Sequence, residues 1–151
     1  MSIVVEVRFP SGRLPTPQVW QDSIVSNNFA VEIDSDFDPV TFKGFLPARY
    51  QGQPAGFEYY YDPGADGKSC VSLVWAGRIR EAVSGIIAAA CLCHLTKGYL
   101  IDTEAGETIE APSAIDWARH EESGFQQMIT EENMTPVKKT KSKVKPWWRF
   151  W

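Results

Sequence analysis

Residues 78–98 read RIREAVSGIIAAACLCHLTKG, and no other segment of the chain is apolar enough to form the middle of a core. Ile79, Ala82, Val83, Ile86, Ile87, Ala90 and Cys93 recur at three- and four-residue steps, which places them on one face of an α-helix. Arg78, Arg80, Glu81 and Ser84 fall off that stripe, so the first half reads as amphipathic. From Ile86 to Cys93 every side is small or apolar, which predicts a helix covered on most of its circumference. Lys97 and Gly98 supply the stop: a cation suits the negative end of the helix dipole, and glycine accepts the left-handed conformation that closes a last turn.

A chain of 151 residues, 44% hydrophobic and 13% aromatic, suits one domain with a substantial core. The N-terminus lacks the basic-then-apolar pattern and cleavage site of a secretory signal. The run 86–93 is far shorter than the roughly 20 residues that cross a bilayer. The expected location is the cytoplasm. Cys70, Cys91 and Cys93 make an odd count and lie in segments that read as buried, so reduced thiols are expected. Cys91 and Cys93 stand about 200° apart around a helix and do not share a ligand easily. Cys91 with His94 is better spaced but has no second ligand pair, so the thiols read as small buried hydrophobes and no metal is expected.

Charge is unevenly distributed. All 19 acidic residues precede Pro136, whereas Lys138, Lys139, Lys141, Lys143, Lys145 and Arg149 follow it, leaving −10 before that proline and +6 after it. Phosphate affinity comes from clustered cations, so nucleic acid is disfavoured as a partner of the body and a basic partner fits it.

Taken in order, residues 3–9 (IVVEVRF) read as a first strand bounded by Pro10 and Gly12. Thr16 before Pro17 predicts a helix start, with Val19, Trp20, Ile24 and Val25 as its apolar face and Asn27-Asn28 as its stop. Residues 29–33 form a short strand. Residues 41–50 and 56–61 form a hairpin with a longer loop around Gln51, Gly52, Gln53 and Pro54, in which Phe57, Tyr59 and Tyr61 share one face and Glu58 and Tyr60 the other. GADGKS lacks the glycine spacing of a phosphate loop. CVSLVW, residues 70–75, reads as a central strand. After the long helix, 99–102 and 107–110 read as strands, and Pro112-Ser113 opens a helix interrupted in composition by Gly124.

Three features invite a functional reading. Asp34, Asp36 and Asp38 alternate as the first ligands of a calcium loop do, but Pro39 and Phe45 stand where that loop needs glycine and glutamate. What remains is a solvated acidic loop or an acidic recognition patch. Tyr59, Tyr60 and Tyr61 form an aromatic strand whose exposed members can bind a partner. Residues 136–145 read as a basic linker, followed by PWWRFW, in which Trp147, Trp148 and Trp151 pack on the acidic body, anchor in a partner's groove or enter a membrane interface. His94 reads as a core residue or helix-end cation and His120 as part of a charged face. Neither completes a triad, and no serine or cysteine sits in a nucleophile elbow, so an enzyme is not expected.

Two stretches resemble known proteins. GFLPARYQGQPAGFEYYYDP (residues 44–63) and the sequence from Leu95 through YLIDTEAGETIEAPSAIDWAR to Arg119 are similar to segments of small bacterial immunity proteins encoded beside polymorphic toxins. The lysine linker ending in PWWRFW is similar to tails found among them. Together these cover under half of the chain and carry no individual binding residue across. The resemblance implies a cytoplasmic protein that binds a cognate toxin and blocks its active site, often through an acidic surface.

The expected architecture is an α+β domain over residues 1–135, in which a mostly antiparallel sheet of five or six strands packs against a helix at 78–97 with helices at 16–27 and 112–130 alongside, followed by a tail at 136–151. The expected function is an immunity-type inhibitor that binds a basic toxin through Asp34, Asp36, Asp38 and the exposed tyrosines, without cofactor. The alternative is an adaptor or membrane-peripheral module acting through the tail.

Overall fold

Burial alternates along residues 3–10: Ile3, Val5, Val7 and Phe9 are buried, while Arg8 and Pro10 face outward. This is the signature of a strand with one covered face. In the computed structural model, which describes residues 2–134, the segment is β1 (Ile3–Pro10), followed by α1 (Pro17–Ser26), β2 (Val31–Ile33), β3 (Gly44–Tyr50), β4 (Gln53–Asp62), β5 (Lys68–Trp75), α2 (Ile79–Thr96), β6 (Tyr99–Asp102), β7 (Glu107–Glu110) and α3 (Ala111–Met134). The expected tail, with Trp147, Trp148 and Trp151, lies outside the described residues.

The strands form one antiparallel sheet of seven, in the order β2-β3-β4-β5-β1-β6-β7. The α+β class matches expectation, but the sheet is wider than the five or six strands expected, because short edge strands complete it on both sides. β2 has 3 residues and β7 has 4; both segments read as strands in sequence, and what local alternation does not give is the pairing that joins all seven into one sheet. β5 occupies the middle of the sheet, as expected, and pairs with β1 from Ile3↔Trp75 to Pro10↔Lys68. Since β5 and β6 both run antiparallel to β1, they are parallel to each other, and α2 provides the crossover that such strands need.

The β3–β4 hairpin is tighter than expected. Tyr50 pairs directly with Gln53, and Gln51 and Gly52 make the turn at φ 53° and 77°. Two successive positive φ values match the right-handed twist of the flanking strands, so β4 begins at Gln53 rather than Gly56.

All three helices cover one face of the sheet. Residues 82–93 of α2 are buried without exception, so its first half is less amphipathic than the sequence suggests. Ser84 is the residue responsible. Its hydroxyl accepts the Gly56 N–H at 3.2 Å and donates to Glu81 O at 3.0 Å, which lets a polar side chain enter the core. Gly56 stands opposite Pro47 in the β3–β4 ladder. By length and composition α2 could cross a membrane, with a mean hydropathy of 1.4, but 78% of it is buried within the fold, between the sheet and the other helices. On α1, the Thr16 hydroxyl accepts the Val19 N–H at 3.2 Å, as a cap should, and Trp20 Nε1 donates to Ala88 O at 2.9 Å. Val19 and Val25, expected on its apolar face, are exposed; Trp20 and Ile24 carry the packing.

Candidate functional site

The residues joining β2 to β3 cross the end of the sheet as a loop, and the loop is built by its own carboxylates. Asp34 Oδ1 accepts the Asp36 N–H at 3.0 Å and Asp38 Oδ1 accepts the Val40 N–H at 2.9 Å. These are Asx turns, in which the side chain replaces a backbone acceptor. Asp34 N–H donates to Pro47 O at 3.0 Å and Phe42 N–H to Asp38 O at 2.9 Å, fixing both ends. Inside the loop, Phe37 and Phe42 have ring centroids 5.3 Å apart, and Phe37 meets the Tyr59 ring edge-on at 5.4 Å. Asp34, Asp36 and Asp38 remain exposed on this aromatic support. Among the described residues, no group of three or more His, Cys, Asp or Glu side chains is placed to hold a metal ion.

The tyrosines divide between the faces of β4. Tyr59 is 1% exposed and belongs to the core; its hydroxyl donates to Pro39 O at 2.6 Å, so it supports the acidic loop from within. Burial raises its pKa well above that of free tyrosine. Tyr61 is half-buried and near Ser69. Tyr60 points the other way, 38% exposed on the uncovered sheet face, where its hydroxyl donates to Glu58 Oε1 and that bond raises its pKa. Phe45, 50% exposed, pairs with Glu58 on the same face. The structure therefore leaves Asp34, Asp36 and Asp38 exposed along one loop, bonds Tyr59 to that loop from within, and puts Tyr60 on the opposite face of β4.

The remaining titratable groups are tied to packing. Cys91 and Cys93 are buried free thiols, and burial pushes each up to about 12; Cys70 is half-buried and raised for the same reason. His94 is exposed in the last turn of α2 and so is not a core residue, and His120 is exposed on α3. Tyr50 donates to Glu122 Oε2 at 2.8 Å and accepts from Gln126 Nε2, joining β3 to α3; burial and the carboxylate raise its pKa.

Sequence reasoning missed a cleft between the β3–β4 hairpin and the start of α2, with Arg49, Arg78 and Arg80 in its lining. The signal available was slight: two arginines spaced as i and i+2 at a helix start, and a third on a strand 29 positions earlier, with nothing in sequence to join them. Neither a family model, nor a curated protein, nor a solved structure matches the chain.

Proposed function

We propose that this protein is a stoichiometric inhibitor of the immunity type, acting in the cytoplasm by binding a basic toxin through the acidic loop, without turnover and without a cofactor. The observation that carries the reading is the construction of that loop. Asp34 and Asp38 each use one oxygen to hold the backbone, Tyr59 and two phenylalanines hold it from below, and all three carboxylates stay exposed. A loop already ordered in the free protein loses little conformational entropy on binding. Its charges, set in a body of net −10, steer a basic partner toward it and favour the correct register.

The experiment is affinity capture from the native lysate with the full chain, identification of the captured protein, and titration of its toxicity in a growth assay against increasing amounts of this chain. Neutralisation at equimolar amounts is expected. The D34N/D36N/D38N variant removes three charges but retains the Oδ1 acceptors, so it should keep its melting temperature and bind about tenfold more weakly, the equivalent of roughly 1.4 kcal/mol. A chain ending at residue 134 should bind as the full chain does. Loss of binding on that truncation would overturn the reading and place the contact in the C-terminal segment, as an adaptor or membrane-peripheral module requires.

A further inference from the structure

The first turn of α2 and the β3–β4 hairpin flank a half-open cleft of about 760 Å³. Phe45, Pro54 and Ile79 supply apolar surface, while Arg49, Arg78 and Arg80 line the same concavity, with Glu81 as the carboxylate in its lining. The arrangement runs against the electrostatics of the chain, whose body carries −10. Acidic side chains are abundant, yet among the described residues the ion pair is Arg8–Glu6, and none of the three cleft arginines is in one. Arg78 is also the N-cap of α2 and makes no side-chain capping bond, so the positive end of the helix dipole adds to the field at the cleft.

Guanidinium groups present planar, paired N–H donors matched to carboxylates, and beside Phe45 and Ile79 they leave room for an apolar neighbour. A half-open groove does not bury most of a small ligand's surface, as a small-molecule site does. A polyanion would be repelled by the acidic body around the cleft, whereas one or two carboxylates on a peptide would not be to the same degree. We propose that this cleft binds an acidic, extended segment of a protein partner, its carboxylates on Arg49, Arg78 and Arg80 and an intervening apolar side chain against Phe45 and Ile79. The site adjoins the acidic loop without including its carboxylates: Pro47, Ala48 and Arg49 also line a smaller concavity of about 270 Å³ together with Glu32 and Asp34. It does not rest on the toxin-binding reading.

The test is a titration of the isotope-labelled full chain with a short peptide of alternating Glu and Leu, followed through backbone amide shifts, beside a Lys and Leu peptide of the same length and inorganic pyrophosphate. Saturable shifts confined to residues 45–55 and 77–82 are expected with the Glu peptide, weakening with added salt and absent with the Lys peptide. The R49Q/R78Q variant should bind it about tenfold more weakly. R49Q alone, on an exposed strand position, should weaken it about threefold and serves if the double variant folds poorly. Equal binding by the variants, shifts elsewhere on the molecule, or no saturable shift would overturn the proposal. Cleft shifts with pyrophosphate and none with the Glu peptide would also overturn it, leaving a small-anion site.

Discussion

The indole of Trp75 occupies the space that a side chain on Gly85 would need: a Cβ at Gly85 would lie 2.4 Å from Trp75 Cε3. Trp75 ends the central strand β5 and Gly85 lies in α2, so this contact sets how closely the helix approaches the sheet. The approach leaves Trp75 Nε1 buried and without a hydrogen-bond partner among the described residues. Gly124, in the middle of α3, has open space where a Cβ would stand and no positive φ.

The two glycines should therefore respond oppositely to the same substitution. Gly85→Ala forces the indole or the helix to move and should cost about 1–3 kcal/mol, the usual penalty for overpacking a core. Gly124→Ala should stabilise by about 0.5–1 kcal/mol through helix propensity and a less flexible unfolded chain. Urea unfolding of both variants, followed by circular dichroism, checks the pair.

The elements legible in sequence were those whose local pattern and tertiary role agree. The alternation of β1, the Thr16-Pro17 start of α1 and the apolar run of α2 each specify one conformation, and the structure follows them in conformation, with β1 also buried on the expected side. The features that were not legible depend on partners distant in sequence. Ser84 looks like a surface residue until Gly56, 28 positions away, supplies its N–H. Alternation sets Tyr59 and Tyr60 on opposite faces of β4, but only the packing of the helices shows which face is covered and so which ring supports the loop and which is exposed. The turn at Gln51-Gly52 was concealed because glutamine rarely takes a positive φ. Of the candidate site, the acidic loop was visible as three alternating aspartates, but its rigidity was not, since it comes from Phe37, Phe42 and Tyr59 meeting in space.

Gln21 closes one edge of the sheet. Its Oε1 accepts the Ile33 N–H at 2.6 Å and its Nε2 donates to Val31 O at 3.0 Å, so a side-chain amide makes the bonds a further strand would make to β2. Unpaired edges invite association. Gln21→Ala should lower stability by about 1–2 kcal/mol and produce concentration-dependent self-association in sedimentation velocity. Gln21→Glu keeps an acceptor for Ile33 but loses the donor to Val31, and should be destabilised without associating as strongly, because charge protects an edge.

The thiols predict an alkaline limit to stability. Cys91 and Cys93 are raised by burial from 9.0 to about 12, so the folded state retains their protons after the unfolded state has released them. Their contribution is complete below about pH 9 and is lost as pH rises toward 12. Tyr50 and Tyr59 are raised from 10.0 in the same sense and extend the loss upward. The midpoint of urea unfolding should fall steadily above pH 9, and less steeply in C91A/C93A. At pH 8, iodoacetamide should modify half-buried Cys70 slowly and reach Cys91 and Cys93 only in denaturant.

Tyr59→Phe separates the two supports of the acidic loop. The ring contacts with Phe37 and Phe42 survive the substitution, and the 2.6 Å bond from the hydroxyl to Pro39 O does not. The expected cost is about 1 kcal/mol of global stability. Amide exchange should speed up at Val40 and Phe42, whose N–H groups bond within the loop, while amides in β4 are unchanged. Tyr60→Phe, which loses only an exposed bond to Glu58, should leave both amides as they are. If the loop is the toxin contact, loosening it without altering its charge raises the ordering cost of binding. Tyr59→Phe should then weaken affinity by a few-fold through a faster dissociation rate, with the association rate and its salt dependence preserved. A slower association rate instead would mean that the carboxylates, and not the order of the loop, had been disturbed.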